Sequence, residues 1–268
     1  MSLLAVLAAG TALVAAVRST WSPCGLSMLS TITPLREGAR SGKYASTVRW
    51  FVVGAVVGGL CLGGLMAGLA ALVAALDPSR TAALLVAAGA AALGIAHDLR
   101  LGGFRLPAHT RQVNDRWLDD YRRWVYGAGF GWQIGTGLTT FIVTAAVYLV
   151  VVLGALTGSP ALALAIGTGF GLVRGLAILA GRSATSQAAL VQLHRTIERW
   201  SPASRLAAVA VQAAVLAVAL AAVEPWTGAA VAVGAAAIIV ATRRRDAVPA
   251  PSAQQAAEKG MAHVSPAR

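Results

Sequence analysis

The chain has 268 residues, of which 57% are hydrophobic and 12% charged, and its formal net charge is +12. A soluble protein of this length needs many more charged residues to cover its surface, so this composition excludes an ordinary soluble domain. The Lys and Arg residues stand between apolar runs, as topology signals do, so the positive charge does not indicate a nucleic-acid partner. Composition therefore predicts an all-α integral membrane protein whose partner is the lipid bilayer.

Seven apolar stretches are predicted to cross the membrane, since about 20 apolar residues span a hydrocarbon core about 30 Å thick. In chain order they cover residues 3–34, 48–76, 80–97, 125–156, 159–180, 205–222 and 226–242. Together they predict one transmembrane domain over residues 1–242. Residues 243–268 are polar and rich in Ala, Pro and Ser, which predicts a disordered cytoplasmic tail.

Basic residues are concentrated in alternate connections between these stretches. The first connection contains Arg36, Arg40, Lys43 and Arg49, whereas the connections on the opposite side contain only Arg80. Basic loops stay in the cytoplasm. We therefore expect a multi-pass protein of the cell membrane with its N-terminus outside and its C-terminus in the cytoplasm.

The first stretch is predicted to break near its middle, at Pro23 and Gly25. As one helix, residues 3–34 would extend about 48 Å, which exceeds the thickness of the membrane core. Proline removes a backbone donor, and freed backbone groups at that depth must be buried in protein or line a wet cavity. Hydroxyl groups follow the break, including those of Ser27 and Thr31, and they either line such a cavity or bond neighbouring carbonyls.

The fourth stretch contains a related passage at residues 129–140, with Gly135 and Gly137 as the expected helix-breaking residues. Trp-x-x-Gly here matches Trp-x-x-Cys in the first stretch. These matches predict two copies of a three-helix unit, inverted because each copy crosses the membrane an odd number of times. The copies cover about residues 3–97 and 125–222, and residues 226–242 are predicted as an additional C-terminal transmembrane helix.

Glycine spacing predicts close helix contacts in the second and fifth stretches. Small residues four apart let membrane helices approach each other closely. The second stretch carries this pattern at Gly54, Gly58, Gly59, Gly63, Gly64 and Gly68, and the fifth at Gly167, Gly171 and Gly175.

An amphipathic segment precedes the sixth stretch. Leu190, Leu193, Ile197 and Trp200 recur at helical spacing among basic residues. The pattern is typical of a helix that lies at the headgroup level with tryptophan as an anchor, the alternative being a docking site for a cytoplasmic partner.

Three motifs resemble the CcdA/DsbD-type thiol–disulfide carriers of cytochrome c biogenesis, within the LysE-like superfamily. They are Trp-Ser-Pro-Cys-Gly at residues 21–25, Phe-Gly-Trp at 130–132 and Gly-Phe-Gly-Leu-Val-Arg-Gly at 169–175. The arrangement of predicted helices is similar over about residues 3–222, whereas the amino-acid sequence is similar only in these short motifs. The resemblance implies six helices in two inverted halves, with electrons passed from cytoplasmic thioredoxin to thiol proteins outside.

The same resemblance implies that Cys24, beside Pro23, is the catalytic sulfur. It also implies a thioredoxin-like protein or an extracytoplasmic thiol protein as a partner. The family's second cysteine would fall on Ile134–Gly135, where this chain has none. Cys61 is either a second sulfur for Cys24 or a small apolar filler. The histidines lack metal-ligand spacing, so we expect no metal and no cofactor.

Two further hypotheses come from the residues alone. Arg18 lies about halfway through the first stretch, and an arginine at that depth favours a functional site, the alternative being a donor to carbonyls freed by the break. The second hypothesis is therefore a transporter of a small solute, anionic if Arg18 binds it. Its expected binding residues are Arg18, Trp21, Ser27, Thr31, Trp132, Gln133, Thr136 and Thr139. The third hypothesis is a degenerate, non-catalytic membrane scaffold.

Overall fold

The computed structural model describes residues 3–39, 43–107 and 121–225, together with Gly234. Its regular structure in this part of the chain is helical throughout, so the all-α class is confirmed. The α-helices are α1 (Leu3–Arg18), α2 (Pro23–Thr31), α3 (Pro34–Ala39), α4 (Tyr44–Leu76), α5 (Arg80–Asp98), α6 (Arg123–Thr136), α7 (Ala146–Leu156), α8 (Pro160–Leu176) and α9 (Gln187–Ala221). Short 3₁₀ turns extend α1 over Ser19–Trp21 and α8 over Ala177–Ser183, and a third covers Leu101–Gly103.

Five helical stretches among the described residues are long and apolar enough to cross a membrane. They are Leu3–Trp21, Tyr44–Leu76, Arg80–Asp98, Pro160–Ser183 and Gln187–Ala221. The membrane-protein class is therefore confirmed. The stretch predicted at 125–156 is divided between α6 and α7, which have 14 and 11 residues and are each shorter than a span. The predicted seventh span and the tail lie outside the described residues.

The first stretch contains a break at Ser22. Helix α1 ends at Arg18, and Ser22 is extended, with φ −73° and ψ 155°. The Ser22 hydroxyl accepts a hydrogen bond from the Gly25 backbone N–H at 3.0 Å, and Pro23 occupies the first position of α2. This is the arrangement of a helix start, with a side-chain cap followed by proline. Residues 3–34 therefore form two successive helices instead of one long one.

The second break lies later than the sequence predicted. Helix α6 continues through Gly135 to Thr136, and the chain leaves it at Gly137, which has φ +73°. Residues with a side chain rarely adopt that φ, so glycine permits the break there. The prediction that Gly135 breaks the helix is wrong. A Cβ atom on Gly135 would lie 2.0 Å from the Ala55 carbonyl oxygen, so this glycine allows close packing on α4.

Helix α4 lies at the centre of the bundle and packs on both α6 and α8. Its contacts on both sides depend on glycine. On the α6 side, a Cβ atom on Gly131 would lie 2.0 Å from the Phe51 carbonyl oxygen. On the α8 side, a Cβ atom on Gly59 would lie 2.6 Å from the Gly167 carbonyl oxygen. The predicted close approach is therefore confirmed for α4 and α8, whereas the contact with α6 was not predicted, and Gly64 and Gly68 face open space.

The remaining helices surround this centre. Helix α1 packs on α7, α8 and α9, and α5 packs mainly on α9. Helices α1, α5 and α8 end, and α4 and α6 begin, near the Arg-rich connections. We call this the basic end of the bundle, and most of the buried polar residues described below lie towards it.

Candidate functional site

A buried arginine lies against the second helix break and within electrostatic range of Cys24, beside the first. Arg174, in the last turn of α8, is only 3% exposed. Its guanidinium carbon lies 5.7 Å from the centroid of the Phe170 ring. A Cβ atom on Gly137, at the second break, would lie 3.3 Å from Arg174 Nη1, and Cys24, beside the first break, is close enough to interact with Arg174 electrostatically. We call Arg174, Phe170, Gly137 and Cys24 the Arg174 centre.

The sequence did not identify this centre. The position of Arg174 near the end of a helix favours a side chain that extends to the membrane surface, as long basic side chains do. Instead, the guanidinium occupies space that is free because Gly137 has no side chain. It also makes a cation–π contact with the ring of Phe170, one turn earlier on α8. The available signal was the combination of Phe170 and Arg174 four residues apart in a helix that also packs through glycine.

Cys24 and Cys61 occupy different environments. Both are free thiols, Cys24 buried and Cys61 exposed. Cys24 is in the first turn of α2, within an apolar cluster that includes Met28 and Phe51. Cys61 is on α4, where its sulfur accepts a hydrogen bond from Trp132 Nε1 at 3.4 Å. The structure therefore does not contain the Cys24–Cys61 dithiol considered from the sequence.

Arg18 and Trp21 are held together by α9. Arg18 Nη1 donates a hydrogen bond to Ser204 Oγ at 2.9 Å, and its guanidinium lies 6.0 Å from the Trp21 ring centroid. Trp21 Nε1 donates to the Ile197 carbonyl oxygen at 2.7 Å. The first stretch contains no acidic residue, but Asp98, at the end of α5, lies within electrostatic range of Arg18. Arg18 thus connects the end of α1 to α9.

The hydroxyl groups expected at the site bond their own segments. Thr31 Oγ1 donates to the Ser27 carbonyl at 2.8 Å, and Thr136 Oγ1 donates to the Trp132 carbonyl at 2.8 Å. The exposed Thr139 donates to the Gln133 carbonyl at 3.3 Å. Of the two alternatives for these hydroxyls, a lined cavity or bonds to neighbouring carbonyls, these contacts match the second. Trp132 itself is 40% exposed, and Gln133 is half-buried.

Two cavities of about 340 and 330 Å³ lie away from these hydroxyls and are lined by apolar residues. The first is between α1 and α8 and includes Ala9 and Gly169. The second is beside α5 and α7 and includes Leu93 and Tyr148. Because their linings are apolar, these cavities are suited to hydrocarbon groups.

A buried carboxyl group that the sequence did not identify joins three helices. Glu37, on α3, is fully buried and accepts hydrogen bonds at 2.6 Å from the hydroxyls of Thr47 on α4 and Tyr126 on α6. In the sequence Glu37 stands beside Arg36 and Gly38 in a polar connection, with no local pattern that predicts burial. Its burial depends on Tyr126, 89 residues later, so no local pattern could have shown it.

Asp98 is the second missed carboxyl group. Its Oδ2 accepts from Thr144 Oγ1 at 2.6 Å and from Gln212 Nε2 at 2.7 Å, and its Oδ1 accepts from the Ala145 backbone N–H at 2.9 Å. Asp98 therefore connects α5, the chain after the second break and α9. The amide of Gln212 fits because Gly94 has no side chain: a Cβ atom there would lie 2.1 Å from Gln212 Oε1.

The chemical capacity of the basic end follows from these groups. It contains one buried guanidinium near a thiol and two carboxyl groups held by neutral donors. Within residues 3–39, 43–107 and 121–225, no group of three or more His, Cys, Asp or Glu side chains is arranged to hold a metal ion.

Comparison with known proteins gives matches of one kind. The chain is 32% identical over 161 residues to "Methylamine utilization protein MauF" of Paracoccus denitrificans, which covers 60% of this chain and 58% of that protein. The protein of the same name from Paracoccus versutus is 30% identical over 167 residues, covering 60% and 59%. That from Methylophilus methylotrophus is 31% identical over 158 residues, covering 55% and 52%. No protein-family model matches the chain, and no solved structure matches it significantly.

These matches correct the family and the function inferred from the motifs. The relatives are named MauF, so the assignment to the CcdA/DsbD-type carriers is wrong, and the expected thiol-protein partners rested on it. The roles of thiol–disulfide carrier, small-solute transporter and degenerate scaffold are overturned by the same finding. A physical reason applies to the first role. A dithiol relay needs two sulfurs that can approach bonding distance, whereas Cys24 is buried near Arg174 and Cys61 is exposed beside Trp132.

Proposed function

We propose that this chain takes part in methylamine utilization as an integral membrane protein. The observation that carries the proposal is its identity of 30% to 32% to the MauF proteins of three bacteria. The five apolar helices agree with action at a membrane. The chain spans between 52% and 59% of the length of these relatives, so the proposal concerns the part that they share with it.

We place the working centre at Arg174. An ionisable side chain within membrane-spanning helices is costly to bury, and such residues commonly mark functional sites. Arg174 is a buried cation that lies beside Gly137 and within electrostatic range of Cys24, so its charge acts near both breaks. Of the residues expected from the sequence, Cys24 and Gly137 belong to this centre, and Pro23 and Gly25 lie on either side of Cys24 in the chain. The other expected binding residues stay predictions: Arg18, Trp21, Ser27, Thr31, Trp132, Gln133, Thr136 and Thr139.

The inverted repeat is part of the proposal, and two apolar clusters support it. One cluster joins α1 and α7 to α4 and α8, with Ala12, Val147, Leu62 and Phe170 among its members. The other joins α2 and α6 to the start of α4 and to the 3₁₀ turn after α8. Exchanging α1 with α6, α2 with α7 and α4 with α8 converts the first arrangement into the second. A two-fold axis in the membrane plane would have this effect.

The orientation is proposed from charge. The basic end of the bundle carries the Arg-rich connections, and such connections stay in the cytoplasm. We therefore propose that the chain lies in a bacterial cell membrane with its N-terminus outside the cell and its C-terminus in the cytoplasm. One transmembrane domain would extend over residues 1–242 and include an additional helix at 226–242, followed by a cytoplasmic tail at 243–268.

Growth tests the proposed function. The gene for this chain is deleted from its host, and growth is compared with methylamine and with ammonium as the sole nitrogen source. We expect slow or absent growth on methylamine, unchanged growth on ammonium, and recovery when the full chain is supplied from a plasmid. Unchanged growth of the deletion strain on methylamine would refute the proposal.

A further inference from the structure

The guanidinium of Arg174 is buried without an acceptor. Arg174 is 3% exposed, and its guanidinium lies against the Phe170 ring and beside Gly137. In the part of the chain that the structure describes, no hydrogen bond joins this guanidinium to an oxygen or a nitrogen. The buried Glu37 and the carboxyl group of Asp98 accept their hydrogen bonds from neutral donors instead. A buried charge without a partner is costly, so Arg174 needs an acceptor that these residues do not provide.

A second buried polar group without a partner lies in the segment after the second break. Thr140 is 1% exposed, and among the described residues its hydroxyl has no hydrogen-bond partner. By contrast, the hydroxyl of Thr144 in the same segment donates to Asp98 Oδ2 at 2.6 Å. Buried hydroxyls nearly always have a partner, and a bound ion is one explanation for an exception.

Apolar packing places this hydroxyl at the level of the buried arginine. Leu138 packs on the cluster that contains Phe170, one turn before the arginine on α8. Phe141 packs on the cluster that contains Ile178, one turn after the arginine. The chain therefore crosses from one cluster to the other between Leu138 and Phe141, as α8 does at the arginine, and Thr140 lies within that crossing.

The backbone of the same segment supplies further donors. Helix α6 ends at Thr136, and α7 begins at Ala146. The N–H groups of residues 139–143 make no hydrogen bond with any other described residue. Backbone groups at membrane depth need a partner in the protein or in a wet or occupied cavity. The guanidinium, the hydroxyl and the N–H groups can all donate, and a cluster of donors around a cation suits an anion.

We infer that Arg174, Thr140 and N–H groups of residues 139–143 hold a small monovalent anion, of the size of chloride, as a resident counter-ion. One guanidinium carries one positive charge, so one negative charge neutralises it. Both side chains are almost completely buried, which restricts the ligand to very few atoms. The ion belongs to the folded protein and is not cargo. This inference rests on the proposed working centre, because it names the ligand of the Arg174 site.

Thermal unfolding in detergent tests the inference. The full chain is purified in sodium gluconate, whose anion is too large for the site, and Tm is recorded as chloride replaces gluconate at constant ionic strength. A ligand that binds only the folded state raises Tm as its concentration rises, so the Tm of the wild-type protein should rise with chloride. Arg174→Gln should abolish this rise.

Thr140→Val keeps the shape of the side chain and removes the hydroxyl. A hydrogen bond to a charged group contributes enough that this variant should need about tenfold more chloride for the same rise in Tm. Thr168→Val, which removes an exposed hydroxyl from α8, is the matched control and should respond to chloride as the wild-type protein does. If Arg174→Gln does not fold, the comparison of the two threonine variants still decides the test.

Two results would overturn the inference. The Tm of the wild-type protein could be the same in chloride and in gluconate, or Thr140→Val and Thr168→Val could respond equally to chloride. Either result could occur while deletion of the gene still abolishes growth on methylamine, in which case only the anion site fails. A rise in Tm with chloride that Thr140→Val weakens, in a chain whose deletion leaves growth unchanged, would support the anion site and refute the proposed function.

Discussion

Arg174 on α8 lies against Gly137, the residue at which α6 ends: a Cβ atom on Gly137 would lie 3.3 Å from Arg174 Nη1. The same atom would lie 2.7 Å from Cε1 of Phe170, whose ring the guanidinium also faces. The second helix break and the buried cation therefore depend on each other. The break needs a residue that tolerates positive φ, and the cation needs the space that a side chain there would occupy.

This dependence predicts that Gly137→Ala destabilises the protein. Alanine would have to adopt φ +73° and would place its methyl group against Phe170 and Arg174. A left-handed backbone conformation alone costs an L-residue about 1–2 kcal/mol, and the overlap adds to it. We expect a clear fall in Tm in detergent. The matched control is Gly169→Ala on α8, where nothing lies within 4 Å of the new methyl group, so its Tm should not fall. Equal Tm values for both variants would show that the Gly137 geometry is wrong.

The contact between Gly94 and Gln212 gives a second prediction. Gly94→Ala would place a methyl group 2.1 Å from Gln212 Oε1, so the amide must move and its hydrogen bond to Asp98 is weakened. Hydrogen bonds to charged groups contribute about 1.5–3 kcal/mol, and the free energy of unfolding should fall by that order. Gly89→Ala on the same helix meets nothing within 4 Å and serves as the control.

A double variant separates this mechanism from general damage to α5. With Gln212→Ala already present, Gly94→Ala should cost much less than it does in the wild-type protein, because the side chain that it displaces is absent. If the two losses of stability simply add, the contact between Gly94 and Gln212 does not control the stability of this region.

The buried Glu37 gives a third prediction. Tyr126→Phe removes one of the two hydroxyls that donate to this carboxyl group and leaves it buried with a single short hydrogen bond, from Thr47. Loss of a donor to a buried acidic group costs about 1–3 kcal/mol. Chemical denaturation of Tyr126→Phe and the wild-type protein in detergent measures the difference, and a neutral Tyr126→Phe would mean that its hydroxyl does not hold Glu37.

The sequence predicted the features that depend on local chemistry. The break at Pro23 was predictable, because proline removes a donor wherever it stands in a helix and a serine cap precedes it. The membrane class was predictable for the same kind of reason, since composition and the length of apolar runs decide it. The close approach of α4 and α8 followed from glycine spacing alone.

The features that depend on distant partners were not predictable. Gly135 and Gly137 look alike in the sequence, yet Gly135 packs on Ala55 of α4 and only Gly137 leaves the helix. The position of Arg174 near a helix end is local information and favours the membrane surface, whereas its burial depends on Gly137. The short motifs around Cys24 indicated a different family, because a few letters at a helix break do not specify what the break is used for.

The growth rate on methylamine of the deletion strain supplied with Arg174→Gln tests the central claim most directly. Glutamine keeps much of the length and the hydrogen-bonding capacity of arginine but removes the charge beside both breaks. Arg182→Gln, which removes an exposed arginine from the 3₁₀ turn after α8, is the control. With both variants present in the membrane at wild-type levels, we predict that Arg182→Gln restores growth and Arg174→Gln does not. Full growth with Arg174→Gln would contradict the assignment of the working centre to Arg174.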